Sequence, residues 1–473
     1  MPTTSPNIAT LGRWLHSWVQ PDGAIHGFHN HSVWGDNPFR YGDFTAGHST
    51  FTAPVLIGLA MALRQHPNPR GQELLKRMVR FQSTSFQPDG QFAHIGFQIG
   101  ELVHEGLIHN VVPCVALAIA APTEQTDRAI RQVLTACDIR SGAWPGENSV
   151  ANQDYCRLWA RLVHMDAFGH REWHDPVAAG LDYLIDHFHV SGQPDPQCAG
   201  TIRHPSDRTG LEPAEYYGLM IHPLVLGWRR YGQPRYLAAA RAIARHVARS
   251  SWRDAQGQQR FHRTWLRVGD RWECLQEPML IGGMGLTLSG IQELLRTEAD
   301  AELEQFLAAT DRTYAHYQSP AGFFLAATGW GAEQDIIPAT AWQSHDFYHL
   351  VTRHGVPADF WESFFEPLPG VAAVFGTSLI WLETKTHWAV RGYHWANGLD
   401  LVGRKDRAEF GLAGPRWIPI PRQMPTEFII PDEPKFLQTH DRIYRLTGRT
   451  DVQGLSAIPK SYQSEIGNGK TGL

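Results

Sequence analysis

The sequence carries little that would cross-link or anchor it. Its five cysteines, Cys114, Cys137, Cys156, Cys198 and Cys274, are widely spaced, odd in number and never in a CxxC arrangement. That excludes a disulfide framework and a zinc ribbon. No uninterrupted apolar run approaches the roughly 20 residues that span a bilayer. The opening MPTTSPNIATLGRWLHSWVQPDG also lacks the basic start and continuous apolar stretch of a secretory signal. A soluble, cytoplasmic protein is therefore expected. Charge of one sign is scarce as well: 42 Lys and Arg against 47 Asp and Glu leave a net charge of -5. This is no footprint for nucleic acid and no polybasic segment for a membrane, so neither is expected as a partner. Oligomeric state is not readable.

What the chain does have is apolar and aromatic. A hydrophobic content of 42% with only 19% charged residues excludes disorder. Seventeen Trp, 13 Tyr and 22 Phe beside 25 His supply flat apolar faces with polar handles and groups that titrate near neutrality. Such a stock suits a sugar-binding cleft and equally an aromatic core.

A punctuation mark recurs six times after helix-like segments, a Gly preceded by a small or polar residue and usually followed by an apolar one. The instances are Asp22-Gly23, Asp89-Gly90, Ser141-Gly142, Ser191-Gly192, Gln256-Gly257 and Ala321-Gly322, at intervals of 67, 52, 50, 65 and 65 residues. Each interval accommodates two helices with their connections. Inner helices, apolar on nearly all sides, are predicted to begin near His48, Glu105, Asn152, Pro213, Pro278 and Ala341, as in FTAPVLIGLAMAL and YYGLMIHPLVLGW. Between them run amphipathic outer helices such as PRYLAAARAIARHVARS, and an opening helix from about Ile8 to Val19 completes the set. The fold class read from this is mainly α: an (α/α)6 toroid, incomplete or closed, over residues 1–366, with an open helical solenoid as the alternative. Two hairpins interrupt the helical pattern, around Gly269-Asp270 and around Lys385. A small β-containing C-terminal region, 367–473, is expected to pack on the toroid.

In a ring of inner helices the N-termini open onto one face, where unpaired N–H groups favour negative charge. Five polar segments fall there: RYGDFTAGHS, ELVHEGLIHN, GENSVANQDYCR, IRHPSDRTGLEPAEYYG and TAWQSHDFYH. They contribute the candidate substrate contacts Asp43, His48, His104, Glu105, Asn148, Asp154, Arg203, Glu212, Trp342, His345 and Asp346. His345 and His349 share a helical face at i,i+4, and HGFHNHS holds His26, His29 and His31. Without an HExxH glutamate or a third ligand, neither group is read as a metal site, and no cofactor is expected.

With these parts the chain resembles, over roughly residues 8–360, the (α/α)6-toroid carbohydrate enzymes. That group includes polysaccharide and oligosaccharide lyases, unsaturated glucuronyl hydrolases and sugar epimerases. The resemblance implies a lyase that cleaves a uronic-acid-containing oligo- or polysaccharide by β-elimination, with an acidic oligosaccharide as its partner. It further implies that Asn152 neutralises the carboxylate while His204, Tyr216 and Tyr217 supply base and acid. The Asn-His pairing common in such lyases is absent, since Asn152 is followed by Gln153 and Asp154. Two alternatives stand beside it. A hydrolase of the unsaturated-glucuronyl type would draw paired carboxylates from Asp43, Glu105, Asp154, Glu212, Glu215, Glu277 and Asp346, and a non-catalytic glycan-binding toroid would need only the aromatics.

Overall fold

The computed structural model describes residues 5–16, 19, 21–25, 49–86, 90, 92, 98–99, 102–103, 107–141, 151–190, 198–204, 210–253, 257–262, 265–274, 279–280, 282–318, 322, 324, 327–328 and 340–366, together with short strands between 379 and 457. The helices in chain order are α1 (Ile8–His16), α2 (Ser49–Gln65), α3 (Pro69–Thr84), α4 (Leu107–Ala120), α5 (Glu124–Ser141), α6 (Ala151–Phe168), α7 (His174–Phe188), α8 (Gly218–Tyr231), α9 (Pro234–Ser250), α10 (Gly285–Leu295), α11 (Ala301–Tyr317), α12 (Thr340–His354) and α13 (Phe360–Phe365). Each even-numbered helix packs on the next, and α12 packs back on α2. The ring of six is therefore closed, as an (α/α)6 toroid requires. The odd-numbered helices lie outside it, α3 against α2 and α4, α9 against α8 and α10, and α1 against α12 and α13.

Burial explains which helix went where. In α2 every residue from Ser49 to Ala60 is buried, as suits an element with neighbours on all sides. In α9 the buried positions Tyr236, Ala239, Ala240, Ile243, Ala244 and Val247 follow three- and four-residue spacing, leaving a wet face of arginines. Inner-helix starts fall close to their sequence-predicted positions. The fourth and fifth are the exceptions, because Ala214–Tyr216 forms a 3-10 turn before α8 and Met279–Leu280 forms a strand before α10.

Two glycines set the spacing of the inner ring. A Cβ placed on Gly218 would lie 1.9 Å from the Leu286 carbonyl oxygen, and one on Gly285 would lie 2.1 Å from that of His345. The backbones of α8, α10 and α12 thus approach more closely than any side chain allows. Three inner helices carry a proline near their start, Pro54, Pro113 and Pro223. Lacking an N–H, each releases the carbonyl four residues earlier. At Pro113 that carbonyl belongs to His109, and the Thr50 hydroxyl from α2 donates to it at 3.4 Å. The same hydroxyl oxygen lies 3.2 Å from His109 Nδ1; with the hydroxyl hydrogen directed to the carbonyl, the ring nitrogen is the donor in that contact.

Three of the six recurrent glycine marks are tight hairpins. Val19 bridges Ile25, Phe86 bridges Phe92 and Gln318 bridges Phe324 in antiparallel fashion. The glycine before each return residue, Gly23, Gly90 and Gly322, has φ of 97°, 86° and 108°, the left-handed region that only glycine enters cheaply. The returning N–H then meets a side chain in the first turn of an inner helix. Ile25 donates to Thr52 Oγ1 at 2.9 Å, Phe92 to Asn110 Oδ1 at 3.0 Å and Phe324 to Gln343 Oε1 at 2.9 Å. Gly257, at φ 75°, turns a wider strand pair, while Gly142 and Gly192 lie outside the described residues.

Both sequence-predicted hairpins form. Trp265–Val268 pairs with Arg271–Cys274 across Gly269, and Leu379–Glu383 pairs with His387–Gly392 across Lys385. The latter pair continues through Asp400–Arg404 to Phe410–Leu412 as a four-stranded antiparallel meander. The side chains that would pack 367–473 on the toroid lie outside the described residues. Among the described residues no helix is long and apolar enough to cross a membrane.

Candidate functional site at the mouth of the ring

The interior of the toroid is plugged part of the way down. Trp159 of α6 stacks on His222 of α8 with ring centroids 4.6 Å apart and planes 3° from parallel. His222 Nε2 lies 3.0 Å from Ser289 Oγ of α10, and its ring centroid 6.4 Å from that of Tyr348 of α12. Four successive inner helices therefore meet at one level, which identifies their axial faces. Residues three, four or seven positions earlier share the same stripe. They include Asn152 on α6 and His345 on α12, nearer the helix starts and on opposite sides of the ring.

Above this floor the structure joins residues from two of the expected segments. Asn152 Nδ2 donates a short hydrogen bond to Glu212 Oε1, tying α6 to the chain entering α8. Both side chains are buried, as is Glu215, three residues on in the 3-10 turn. The backbone N–H of Glu212 is held by the Ile202 carbonyl at 2.9 Å, so the carboxylate is positioned at both ends. Tyr217 is buried with its hydroxyl 2.7 Å from Thr201 Oγ1. Burial pushes that phenol well above its ordinary value, and the nearby Glu212 and Glu215 push it further, outweighing the pull of the Thr201 bond. It is poorly prepared to ionise. Tyr216, next to it, is only half-buried.

Other candidates have structural partners. Asp346 accepts from the backbone N–H groups of Gly283 and Gly285 at 2.8 and 3.0 Å and from the Tyr314 hydroxyl at 2.5 Å, pinning the start of α10 to α11 and α12. Asp154 holds the buried Arg157 at 2.7 Å. Arg203 donates to the His187 carbonyl at 2.5 Å. His345 is buried on α12, and its Nε2, like both nitrogens of His349, has no hydrogen-bond partner among the described residues. Asp43, His48, His104, Glu105 and Asn148 lie outside the described residues, as do the side chains of His204 and Trp342. The sequence reading missed Trp159 and His222; a lone titratable imidazole inside the apolar run YYGLMIHPLVLGW was the available signal.

These burials set a pH dependence. Desolvation lowers His345 and His349 to about 3 and His222 to about 4, so all three are neutral in the fold. Below their unfolded value near 6.5 the unfolded chain takes up protons that the fold refuses. Stability then falls with pH by about 1.4 kcal/mol per pH unit for each group. Desolvation also raises Asp346 to about 7 and Asp154 to about 6. Carboxyls raised in this way contribute stability that is fully present at low pH and lost as pH rises through those values. His16 and His189 are lowered by burial to about 4 as well, so five imidazoles outweigh two carboxyls and the urea midpoint is expected to climb from about pH 4.5 to a maximum near about 6.5. His345→Gln should flatten that climb; a midpoint that declines over the same range in the native chain would contradict the assignment.

No family model and no curated protein sequence matches the chain. Solved structures do. A sugar epimerase from a ruminal bacterium matches with a TM-score of 0.52 at 9% identity, over 74% of this chain and 99% of its own. A cellobiose 2-epimerase from Bacillus thermoamylovorans B4167 gives 0.51 at 9% identity, over 72% and 95%. A D-mannose isomerase gives 0.52 at 11% identity, over 73% and 95%. The likeness is one of architecture: the chain has the (α/α)6-toroid fold of these proteins.

Proposed function

We propose that the chain is a carbohydrate-active enzyme that hydrolyses a glycosidic bond, with Glu212 as its proton-transferring carboxylate. The observation that carries this reading is the Asn152–Glu212 bond, which fixes a buried carboxylate beside Glu215 at the ring mouth. Hydrolysis by paired acids needs two carboxyl groups in different roles, one protonated and one ionised. Two carboxylates at this end of the ring also favour a neutral sugar over an anionic one. Arg203, expected to meet a uronate, is directed to a backbone carbonyl instead. The fold shared with a sugar epimerase and a mannose isomerase supports the carbohydrate class and leaves the reaction to the residues.

The half-buried Tyr216 favours a second reading, β-elimination from an acidic oligosaccharide, in which Asn152 faces the uronate carboxylate and Tyr216 with His204 moves the protons. One experiment separates the reactions. Neutral and uronate oligosaccharides are incubated with the full chain and the products weighed by mass spectrometry. Hydrolysis adds one water across the products, elimination conserves total mass and leaves an unsaturated end, and epimerisation produces no fragment. Fragments carrying an added water are the expected result. Unsaturated fragments would replace hydrolysis by elimination, and a changed sugar without cleavage would remove both.

A further inference from the structure

At the far end of the toroid, away from the ring mouth, three side chains from separate places converge. Asp127 is the fourth residue of α5, His164 lies in the last two turns of α6, and His170 follows the turn that ends that helix. Histidines six apart on a continuous helix would point about 120° away from each other. Gly169, at φ 74°, folds the chain back instead and stacks the two imidazoles with centroids 5.0 Å apart. Both Nε2 atoms aim at one carboxylate: His164 is 2.6 Å from Asp127 Oδ1, and His170 is 3.1 and 3.2 Å from its two oxygens. The ligand atoms all lie within 4.8 Å of one another.

We propose that Asp127, His164 and His170 form a three-ligand site for a divalent transition-metal ion of the zinc class, stapling the start of α5 to the turn between α6 and α7. Imidazole nitrogens and a carboxylate oxygen are ligands zinc accepts at about 2.0–2.2 Å, and a tetrahedral ion holds such atoms about 3.3 Å apart. The 3.1 and 3.2 Å contacts of His170 already match that spacing and the 2.6 Å contact of His164 must open by about 0.7 Å, with the fourth position left for water. Without metal the His164 Nε2–H donates to Asp127; His164 Nδ1 has no hydrogen-bond partner among the described residues and can take that proton when Nε2 turns to a metal ion. His170 and Asp127 are 28% and 20% exposed, which gives the ion a way in. The competing cation is Arg131, whose Nε sits 3.1 Å from Asp127 and whose Nη1 reaches Glu172 at 2.7 Å; it can surrender the first contact and keep the second. His164 stands twelve residues along α6 from Asn152, about 18 Å along the axis. The site is thus structural, and its existence is independent of the reaction at the mouth.

The test uses the full chain stripped with a chelator, titrated with zinc chloride in a calorimeter and by thermal melting. One ion per chain is expected, with a raised Tm at saturation. His170→Ala should weaken binding at least about 100-fold and abolish the rise in Tm. His170→Gln, which keeps the packing and a donor toward Asp127, should do the same and guards against a folding defect in the alanine variant. His174→Ala removes an exposed imidazole that pairs with Asp175 and should leave affinity unchanged. Cobalt in place of zinc should give the visible absorption of a tetrahedral site in the native chain and lose it in both His170 variants. No zinc binding at micromolar concentration, or binding equal in native and His170 variants, would overturn the proposal.

Discussion

Replacing Glu212 by glutamine is expected to reduce turnover by about 10²- to 10⁴-fold while the chain stays folded, because an amide can neither give nor take the proton that a general acid–base group moves. Gln preserves the fold for a specific reason. Its carbonyl oxygen can still accept the bond from Asn152 Nδ2, so the tie between α6 and the entry to α8 survives. Tyr217→Phe provides the contrast. It removes a hydroxyl whose partner is Thr201 and should cost about 1 kcal/mol of stability with little loss of rate. Turnover of the assayed sugar by Glu212→Gln and melting of both variants check the pair. Undiminished activity in Glu212→Gln, or activity lost only in Tyr217→Phe, would move the chemistry back to the tyrosines.

The largest expected effect on stability belongs to a residue with no side chain. Gly285→Ala would put a methyl carbon 2.1 Å from the His345 carbonyl oxygen, 2.2 Å from its carbon and 2.4 Å from the Asp346 nitrogen. All three atoms are backbone, so relief requires α10 to move away from α12, and the capping of Gly283 and Gly285 by Asp346 would go with it. A loss of about 3 kcal/mol or more is expected, at the upper end of overpacking costs. Gly232→Ala is the control: its φ is 68° but nothing lies within 4 Å of the added carbon, so only the left-handed backbone cost of about 1 kcal/mol applies. Urea denaturation of the two variants measures the difference. A midpoint for Gly285→Ala at or above that of Gly232→Ala would mean that the ring can widen there.

The contrast between these positions reflects what a sequence can and cannot display. Inner helices were legible because a segment such as FTAPVLIGLAMAL has no wet face, and a helix without one must be surrounded. The hairpins were legible because left-handed turns demand glycine. The polar residues at the helix starts were visible but their partners were not. Thr52, Asn110 and Gln343 each tie down the N–H of a returning hairpin, a contact between residues 18 to 27 positions apart that no local pattern announces. The same holds for Asp346, which reads as a site residue and acts as a cap for two glycine N–H groups 61 and 63 positions earlier. The Trp159–His222 stack was hidden for a related reason: His222 sits inside an apolar run and Trp159 between Arg157 and Arg161, and only the closed circle of helices brings the rings face to face. Asn152 and Glu212 were both named, yet that one holds the other follows from geometry alone.

Closure of the ring carries a consequence for how the chain is made. In an open solenoid each unit rests on its predecessor, and the first units can fold as they leave the ribosome. Here α2 packs on α12, and α1 packs on α12 and α13. Asn7 exchanges hydrogen bonds with Gln318, and Arg13 pairs with Glu366. α1 must therefore wait through more than 300 residues of translation, and the side of α2 that faces α12 through about 290, for the surfaces that cover them. Such long-range pairing slows folding and leaves apolar surface exposed to aggregation. Slow, concentration-sensitive refolding is the cost of a circle that has no ends to cap.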